Sequence, residues 1–251
     1  MNTQSDQVGS KQPEKNGKNS PLKKERKVAI VAVDGPAGSG KSTICRLAGE
    51  KLGWAYVSTG KLYRAIGILA KERGIALDDD DALAVLATEF AEKFDWLPTT
   101  DELFFDGRKF NEELYSEEAG ASASKVAIQP KFRSALLSAQ RKMASLSDKG
   151  ALFDGRDVGT VVFPDATCKI YMTASLEKRA QRRLQQLDGK LALVPTLAEL
   201  MADIEARDRQ DSSRSAAPLA QAEDSIFFDT SDLSLEQSVE KMVAIINEAV
   251  T

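Results

Sequence analysis

Histidine is absent from this sequence of 251 residues. Its absence excludes Ser-His-Asp and Cys-His catalysis, and it excludes metal sites built on imidazole ligands. Cysteine is scarce as well, because Cys45 and Cys168 are too few for a disulfide scaffold or a closed thiolate zinc site. We expect both to be small buried apolar side chains. Any catalysis must therefore use carboxylates, lysine, arginine, hydroxyl groups or a cation with oxygen ligands.

Long apolar segments are missing too. No run approaches the about 18 apolar residues of a membrane span, and the first residues lack the apolar stretch of a signal peptide. We therefore expect a cytoplasmic protein without a membrane partner. Residues 1–27 carry seven Lys/Arg against three Asp/Glu, so the rest of the chain holds a net charge of −8 within a total of −4. An acidic body argues against a general nucleic-acid binder.

The chain divides into a polar start and an alternating α/β body. Residues 1–27, rich in Lys, Asn, Gln, Ser and Gly, predict a disordered extension, with a nucleic-acid or membrane tether as the alternative. The run VAIVAV at 28–33 is typical of a parallel strand buried on both faces. Further strands are predicted at 54–57, 151–153, 169–172 and 225–228. Helices are predicted after residue 40 and at 62–73, 79–94, 130–146, 175–187, 197–209 and 234–249.

This alternation predicts an α/β fold with a doubly wound parallel sheet. A less regular segment, about 95–125, contains Trp96-Leu97, Leu103-Phe104-Phe105 and the turn Asp106-Gly107. It predicts small antiparallel strands that form an insert beside the main sheet. Ser234 and Gln237 have the spacing of a capping box at the start of the last helix.

A phosphate-binding loop follows the first strand directly. GPAGSGKS, residues 35–42, matches G-x-x-x-x-G-K-S/T between a strand and a helix, where backbone N–H groups and the helix dipole attract phosphate. Lys41 can reach the β- and γ-phosphates, and Ser42 can offer its hydroxyl to Mg²⁺. No Asp-x-x-Gly or Asn-Lys-x-Asp element follows, so a GTPase is disfavoured. The predicted triphosphate-binding residues are Gly35, Pro36, Ala37, Gly38, Ser39, Gly40, Lys41, Ser42 and Thr43.

Clustered arginines suggest a second phosphorylated substrate, because the planar guanidinium donates two parallel hydrogen bonds to phosphate. Arg156 directly follows a predicted strand, at the edge of a parallel sheet where ligands bind. A phosphate acceptor would also explain the missing histidine: its second pKa is about 6, so at neutral pH it needs no general base. The other arginines are Arg64 in STGKLYR, three on one predicted helix (Arg179, Arg182 and Arg183), and Arg207, Arg209 and Arg214 in RDRQDSSR. For the three on the helix, simple exposure to solvent is as good an explanation as ligand binding.

Together these motifs resemble the bacterial cytidylate kinases, members of the nucleoside monophosphate kinase family, from about residue 28 to the end. The specific segments are VDGPAGSGKST (33–43), STGKLYR (58–64), ASKVA (123–127), DGRDVGTVVFPDA (154–166) and RDRQDSSRSAAPL (207–219). The resemblance implies phosphoryl transfer from ATP with Mg²⁺ to CMP or dCMP. It also implies a P-loop NTPase core over 28–251, a monophosphate-binding insert at about 95–125 and a lid at about 179–214. We also expect a monomer.

The resemblance further implies roles for single residues. Ser124, Arg133 and Asp157 would face the cytosine edge, since a carboxylate accepts from the exocyclic amino group. Arg207 and Asp211 would contact the sugar. The residues expected near the acceptor phosphate are Thr59, Tyr63, Arg64, Arg156 and Arg214. The residues expected to carry charge during transfer are Lys41, Arg156, Arg214 and Arg183, the last on the lid side that closes over ATP.

Three departures from the family pattern accompany this match. Leu114-Tyr115 replaces an Ile-Arg pair in the insert, Gln210 replaces a charged lid residue, and Thr59 stands where an acidic residue is frequent. Several alternatives remain open: a kinase for another monophosphate such as UMP, an ATP-binding module without transfer activity, and an RNA-binding protein that acts through residues 1–27. Whether Asp34 or Asp154 reaches Mg²⁺ through water is also open.

Overall fold

The computed structural model describes residues 28–187 and 195–251. The extension predicted for residues 1–27 lies outside the described residues, as does the part of the predicted lid over 188–194. The predicted helices and core strands are present, with ends displaced by at most three residues. The predicted capping box is confirmed, because Ser234 and Gln237 exchange both of its hydrogen bonds.

Two sheets contain the strands of the described chain. The strands are β1 (Ala29–Asp34), β2 (Ala55–Ser58), β3 (Phe94–Leu97), β4 (Glu102–Phe105), β5 (Arg108–Lys109), β6 (Gly150–Gly155), β7 (Cys168–Thr173) and β8 (Ile226–Asp229). The main sheet is parallel and has the order β2-β6-β1-β7-β8. Because carboxyl ends of parallel strands share one edge, the loops after β1, β2 and β6 meet there.

Helices cover both faces of this sheet, so the doubly wound α/β fold is confirmed. The helices are α1 (Lys41–Leu52), α2 (Thr59–Glu72), α3 (Asp80–Lys93), α4 (Glu117–Val126), α5 (Pro130–Ser145), α6 (Leu176–Leu187), α7 (Leu197–Ser212) and α8 (Leu235–Val250). One apolar cluster joins α1 and α8 to the sheet through residues such as Ile44 and Met242. A larger cluster joins α2, α3 and α5 to the opposite face, around Phe132 and Phe153. Both cysteines, Cys45 and Cys168, are buried as expected.

The predicted insert is partly corrected. Its antiparallel strands are present as β3, β4 and β5. From Glu112 onward, however, a short 3₁₀ turn and helix α4 replace the predicted strands. The helix starts there because the Ser116 side chain accepts the Ala119 N–H, and Glu117 and Glu118 occupy the positively polarised first turn.

Helices α6 and α7 form a pair with an apolar cluster of their own. Ala180 and Leu187 of α6 pack against Leu200 and Ile204 of α7, separately from the two clusters on the main sheet. The pair coincides with most of the segment predicted as a lid. None of the helices in residues 28–187 and 195–251 combines the length and apolar character needed to cross a bilayer.

Candidate active site

The glycine-rich segment forms a tight turn between β1 and α1. Gly38 and Gly40 have φ values of 73° and 91°, a conformation that side-chain-bearing residues rarely adopt. Gly35 passes so close to β7 that an added Cβ would lie 1.9 Å from the Met172 carbonyl oxygen. This loop ends at the first turn of α1, whose free N–H groups and dipole form an anion site. The geometry is that of a phosphate-binding loop.

Lys41 is folded into this loop. Its Nζ donates to the carbonyl oxygens of Gly35 at 2.7 Å and Pro36 at 2.8 Å, and to Ser39 Oγ at 3.1 Å. Burial, with the nearby positive charge of Arg156, lowers the pKa of Lys41 to about 7. The ammonium group is thus held inside the loop with its charge incompletely compensated, and an anionic ligand would favour its protonated form.

Ser42 and Asp154 supply oxygen atoms at the carboxyl edge of the sheet. The Ser42 hydroxyl donates to Asp154 Oδ2 at 2.5 Å, and the Tyr56 hydroxyl donates to the same oxygen at 3.1 Å. Burial, together with the Asp154 carboxylate, raises the pKa of Tyr56 well above its usual value, so its hydroxyl stays protonated. The Thr59 hydroxyl donates to the backbone carbonyl of Asp154 at 2.8 Å.

Asp34 has a different task from Asp154. Its two carboxylate oxygens accept the backbone N–H groups of Val158 at 2.8 Å and Gly159 at 2.7 Å. Burial raises its pKa to about 6, against the opposing effect of these hydrogen bonds. Asp34 therefore fixes the loop after β6, whereas Asp154 faces Ser42. Of the two carboxylates left open by the sequence, Asp154 is the one beside the hydroxyl predicted to bind Mg²⁺.

A cluster of arginines surrounds Asp211 at the end of α7. Arg156 Nε donates to Asp211 Oδ2 at 2.8 Å, and Arg214 Nη2 donates to the other oxygen. Burial alone would raise the pKa of Asp211, but these two guanidinium groups hold it below its usual range. The Arg214 Nε is buried and has no hydrogen-bond partner among the described residues. The cluster therefore still has an unused donor.

Arg207 and Arg64 add further positive charge. Arg207 is exposed as a residue, yet desolvation of its guanidinium group by the surrounding protein lowers its pKa to about 10. The charges of Arg156, Arg64 and Arg214 contribute to that lowering. Arg64 donates to the Leu114 carbonyl of the insert at 2.6 Å, and burial, followed by the charge of Arg183, lowers its pKa. Arginines that repel one another within one cluster indicate a site for an anion.

Arg133 and Asp157 form a buried ion pair deeper in the molecule. Arg133 Nη2 donates to Asp157 Oδ2, and Arg133 Nη1 donates to the Ala127 carbonyl at 3.0 Å. The guanidinium lies 5.4 Å from the ring centroid of Tyr63, so Tyr63 packs against this pair. Arg133 Nε has no partner in the described chain. The hydroxyl of Ser124 donates to Gly120 within α4, at 3.2 Å.

Two arginines of α6, Arg179 and Arg182, donate hydrogen bonds to the phosphate loop. Arg179 Nη1 donates to the Ala37 carbonyl at 3.0 Å, and Arg182 Nη1 donates to the Ser39 carbonyl at 2.9 Å. Arg183 instead points toward the insert, with Nη2 4.0 Å from Glu117 Oε1. Its role over ATP stays a prediction. Arg179 and Arg182 are one helical turn apart, and this spacing is the signal in the sequence for a shared face.

Two of the three departures from the family pattern, Leu114-Tyr115 and Gln210, lie where the insert meets the rest of the chain. Leu114 is buried, whereas Tyr115 is exposed and its ring centroid lies 5.9 Å from the Lys61 ammonium group. Gln210 Nε2 donates to the Ser124 carbonyl at 3.3 Å, which links α7 to α4. In this structure the exposed amide of Gln210 bridges the lid helix and the insert.

Comparison with known proteins agrees with this geometry. The family model described as cytidylate kinase matches residues 31–248. The cytidylate kinase of Photobacterium profundum is 41% identical over 220 residues, which are 88% of this chain and 95% of that protein. Those of Azotobacter vinelandii and Vibrio vulnificus are 40% and 41% identical, each over 86% of this chain and over 93% and 95% of those proteins. The chain therefore belongs to the cytidylate kinase family, and its α/β core is a P-loop fold.

Proposed function

We propose that this protein transfers the γ-phosphoryl group of ATP to CMP and dCMP, giving ADP and CDP or dCDP. The observation that carries the proposal is the buried pair of Arg133 and Asp157 beside the arginine cluster around Asp211. A carboxylate in that pair can accept the exocyclic amino group of cytosine, which uracil replaces with an acceptor. The family relationship favours cytidylates over the UMP alternative.

The acceptor phosphate would bind among the arginines. Arg64, Arg156 and Arg214 supply fixed positive charge there, and the unpartnered Arg214 Nε is a donor that an acceptor oxygen would satisfy. Since that phosphate is already anionic near neutral pH, the reaction requires alignment and charge neutralisation, without a general base. The absence of histidine is consistent with this chemistry.

The donor phosphates would bind at residues 35–43. Lys41 is positioned to exchange its contacts with the loop carbonyls for contacts with the phosphates, and Arg183 would approach from the lid. Ser42 and Asp154 offer the oxygen ligands that Mg²⁺ prefers, Ser42 directly and Asp154 through water. Among the described residues no cluster of three or more acidic or thiol ligands is present, so phosphate and water oxygens would complete the shell. The ion would neutralise charge on the phosphoryl oxygens.

The sugar and the base would be held from two sides. Arg207 and Asp211 of α7 would contact the ribose, while Ser124, Arg133 and Asp157, supported by Tyr63, would contact cytosine; Thr59 would line the phosphate side. The insert over about 95–125, which contains most of α4, would close over the monophosphate, and the lid around α6 and α7 would close over ATP. We further propose that the protein is cytoplasmic and monomeric. Size-exclusion chromatography with light scattering would test the oligomeric state.

A coupled ADP-release assay with ATP and Mg²⁺ tests the activity. CMP and dCMP should be turned over far faster than UMP or AMP, because a site built on hydrogen bonds to one base can reject another by up to about 10⁴-fold. Faster turnover of UMP or AMP than of both cytidylates would show that the assignment of Asp157 and Arg133 is wrong. ATP binding without any transfer would favour the non-catalytic module instead.

A further inference from the structure

Polar contacts join the α6–α7 pair to the phosphate loop. The apolar cluster of the pair is separate from the clusters on the main sheet, so apolar packing alone does not fix its position. Helix α7 carries Arg207 and Asp211, which belong to the acceptor side of the site. The bonds that hold α7 therefore decide where the acceptor residues stand relative to the donor loop.

One carboxylate of α7 reaches the donor loop directly. Asp208 Oδ1 accepts the backbone N–H of Ala37 at 3.1 Å, and Asp208 Oδ2 accepts from Arg179 Nη1 at 2.5 Å. The same Arg179 nitrogen donates to the Ala37 carbonyl at 3.0 Å. Asp208 and Arg179 thus bind both backbone polar groups of Ala37. These hydrogen bonds involve ionised groups and are stronger than neutral ones.

Packing around Gly38 tightens this connection. A Cβ placed on Gly38 would lie 3.3 Å from the Arg179 Cβ and 3.7 Å from the Ile204 side chain of α7. Ile204 and Asp208 are four residues apart and share a face of the helix. Ala37 is therefore hydrogen-bonded to α7, and Gly38 lies close enough to the helix pair that a side chain there would meet it, so a shift of this part of the loop would be transmitted to the helix.

We propose that Asp208 is a positioning residue that couples the ATP site to the CMP site by tying α7 to the phosphate loop. The proposal rests on the function proposed above. When ATP binds the loop, the bonds to Ala37 restrain α7, so that Arg207 and Asp211 are already positioned for the acceptor. Coupling is reciprocal, so CMP must strengthen ATP binding by the same factor.

The test is a set of CMP titrations by calorimetry, with and without a non-hydrolysable ATP analogue and Mg²⁺. For the unaltered protein, we expect the analogue to tighten CMP binding by about 5-fold or more, within the usual range of such coupling. In Asp208→Ala the ratio of the two dissociation constants should fall toward 1. Asp208→Asn keeps the shape but can satisfy only one of the two partners, so its ratio should be intermediate.

Asp203→Asn is the matched control, because Asp203 lies on the same helix, is exposed and makes no ion pair within the described residues. It should retain the full ratio. A normal ratio in Asp208→Ala, even with a lowered melting temperature, would show a merely structural role and overturn the proposal. If Asp208→Ala does not fold, an unchanged ratio in Asp208→Asn overturns it equally.

The unaltered protein separates this proposal from the proposed function. Turnover of CMP without any effect of the analogue on CMP binding would overturn the coupling role of Asp208 and leave the kinase activity in place. Failure to bind or phosphorylate CMP at all would overturn both. Coupling in the unaltered protein that disappears in Asp208→Ala and persists in Asp203→Asn supports the proposal.

Discussion

Replacing Asp157 with asparagine changes one buried carboxylate into a carboxamide of nearly the same shape. Asp157 is 5% exposed and pairs with Arg133, which is 6% exposed, so both act without much screening by water. The carboxamide oxygen can still accept from Arg133, while its NH₂ group can no longer accept the amino group of cytosine. Uracil presents an acceptor at that position and suits the new donor.

The expected loss follows from one charge-assisted hydrogen bond. Such a bond is worth about 1.5–3 kcal/mol, which corresponds to about 10- to 150-fold in kcat/KM for CMP. The CMP-to-UMP ratio in the coupled ADP-release assay should fall by at least that factor. Asp157→Ala should relax base choice as well and also destabilise the protein by about 3–5 kcal/mol, because it leaves Arg133 buried without its partner.

Asp165→Asn is the control for this experiment, since Asp165 follows in the same loop after β6 and is exposed. It should leave both the ratio and the stability unchanged. An Asp157→Asn enzyme with the original CMP-to-UMP ratio would refute the assignment of Asp157 to the base. An equal loss of rate with every acceptor would refute it too, because it would indicate a general effect on transfer.

Three further predictions concern the donor loop and the insert. Lys41→Ala should slow transfer to every acceptor alike by about 100- to 1,000-fold in kcat, as loss of a preorganised charge donor does; a change in base choice would contradict this. Because the pKa of Lys41 is lowered to about 7, its side chain is mostly neutral at pH 8 and should take up about one proton when the phosphates of ATP raise that pKa. Calorimetry in buffers of different ionisation enthalpy measures this uptake, and an enthalpy independent of the buffer would argue against it. Gly67→Ala should lower the melting temperature and raise KM for CMP, since the added Cβ would lie 2.8 Å from the Ser122 Cβ of α4. The overpacking should cost about 1–3 kcal/mol of stability. An unchanged melting temperature and KM would contradict this prediction.

Local patterns in the sequence predict the position and the tight turn of the glycine-rich loop correctly. The strand, the glycines and Lys41 are consecutive in the chain, so one segment contains the proposed triphosphate-binding residues. Arg156 can be placed as well, because it follows a continuous apolar strand whose end lies at the ligand-binding edge of the sheet.

Contacts between distant segments cannot be predicted in this way. Asp208 and Ala37 are 171 positions apart, and neither residue type nor spacing in RDRQDSSR indicates a bond to the phosphate loop. The helix pair also turns Arg179 and Arg182 toward the loop and Arg183 away from it. Which of three neighbouring arginines faces inward depends on how α6 packs, which local sequence does not determine.

Helix α4 is missing from the sequence-based prediction for a different reason. The apolar and aromatic residues of β3 and β4 dominate the start of the insert and indicate strands. When that strand prediction is applied to the whole segment up to residue 125, the helix at its end is overlooked. The signal for a helix is nevertheless present in Ser116 followed by Glu117 and Glu118, a capping residue with acids in the first turn. Its small residues then allow close packing on α2 at Gly67.

The most direct measurement of the central claim is product identification in an acceptor competition. The protein is incubated with γ-labelled ATP, Mg²⁺ and equal amounts of CMP, dCMP, UMP and AMP, and the labelled diphosphates are separated. We expect the label in CDP and dCDP, because cytosine offers Asp157 an amino group and presents acceptors to Arg133. Uracil has no amino group, and adenine, which has one, lacks the carbonyl acceptor of cytosine. Label predominantly in UDP or ADP, or no labelled diphosphate at all, would contradict the account.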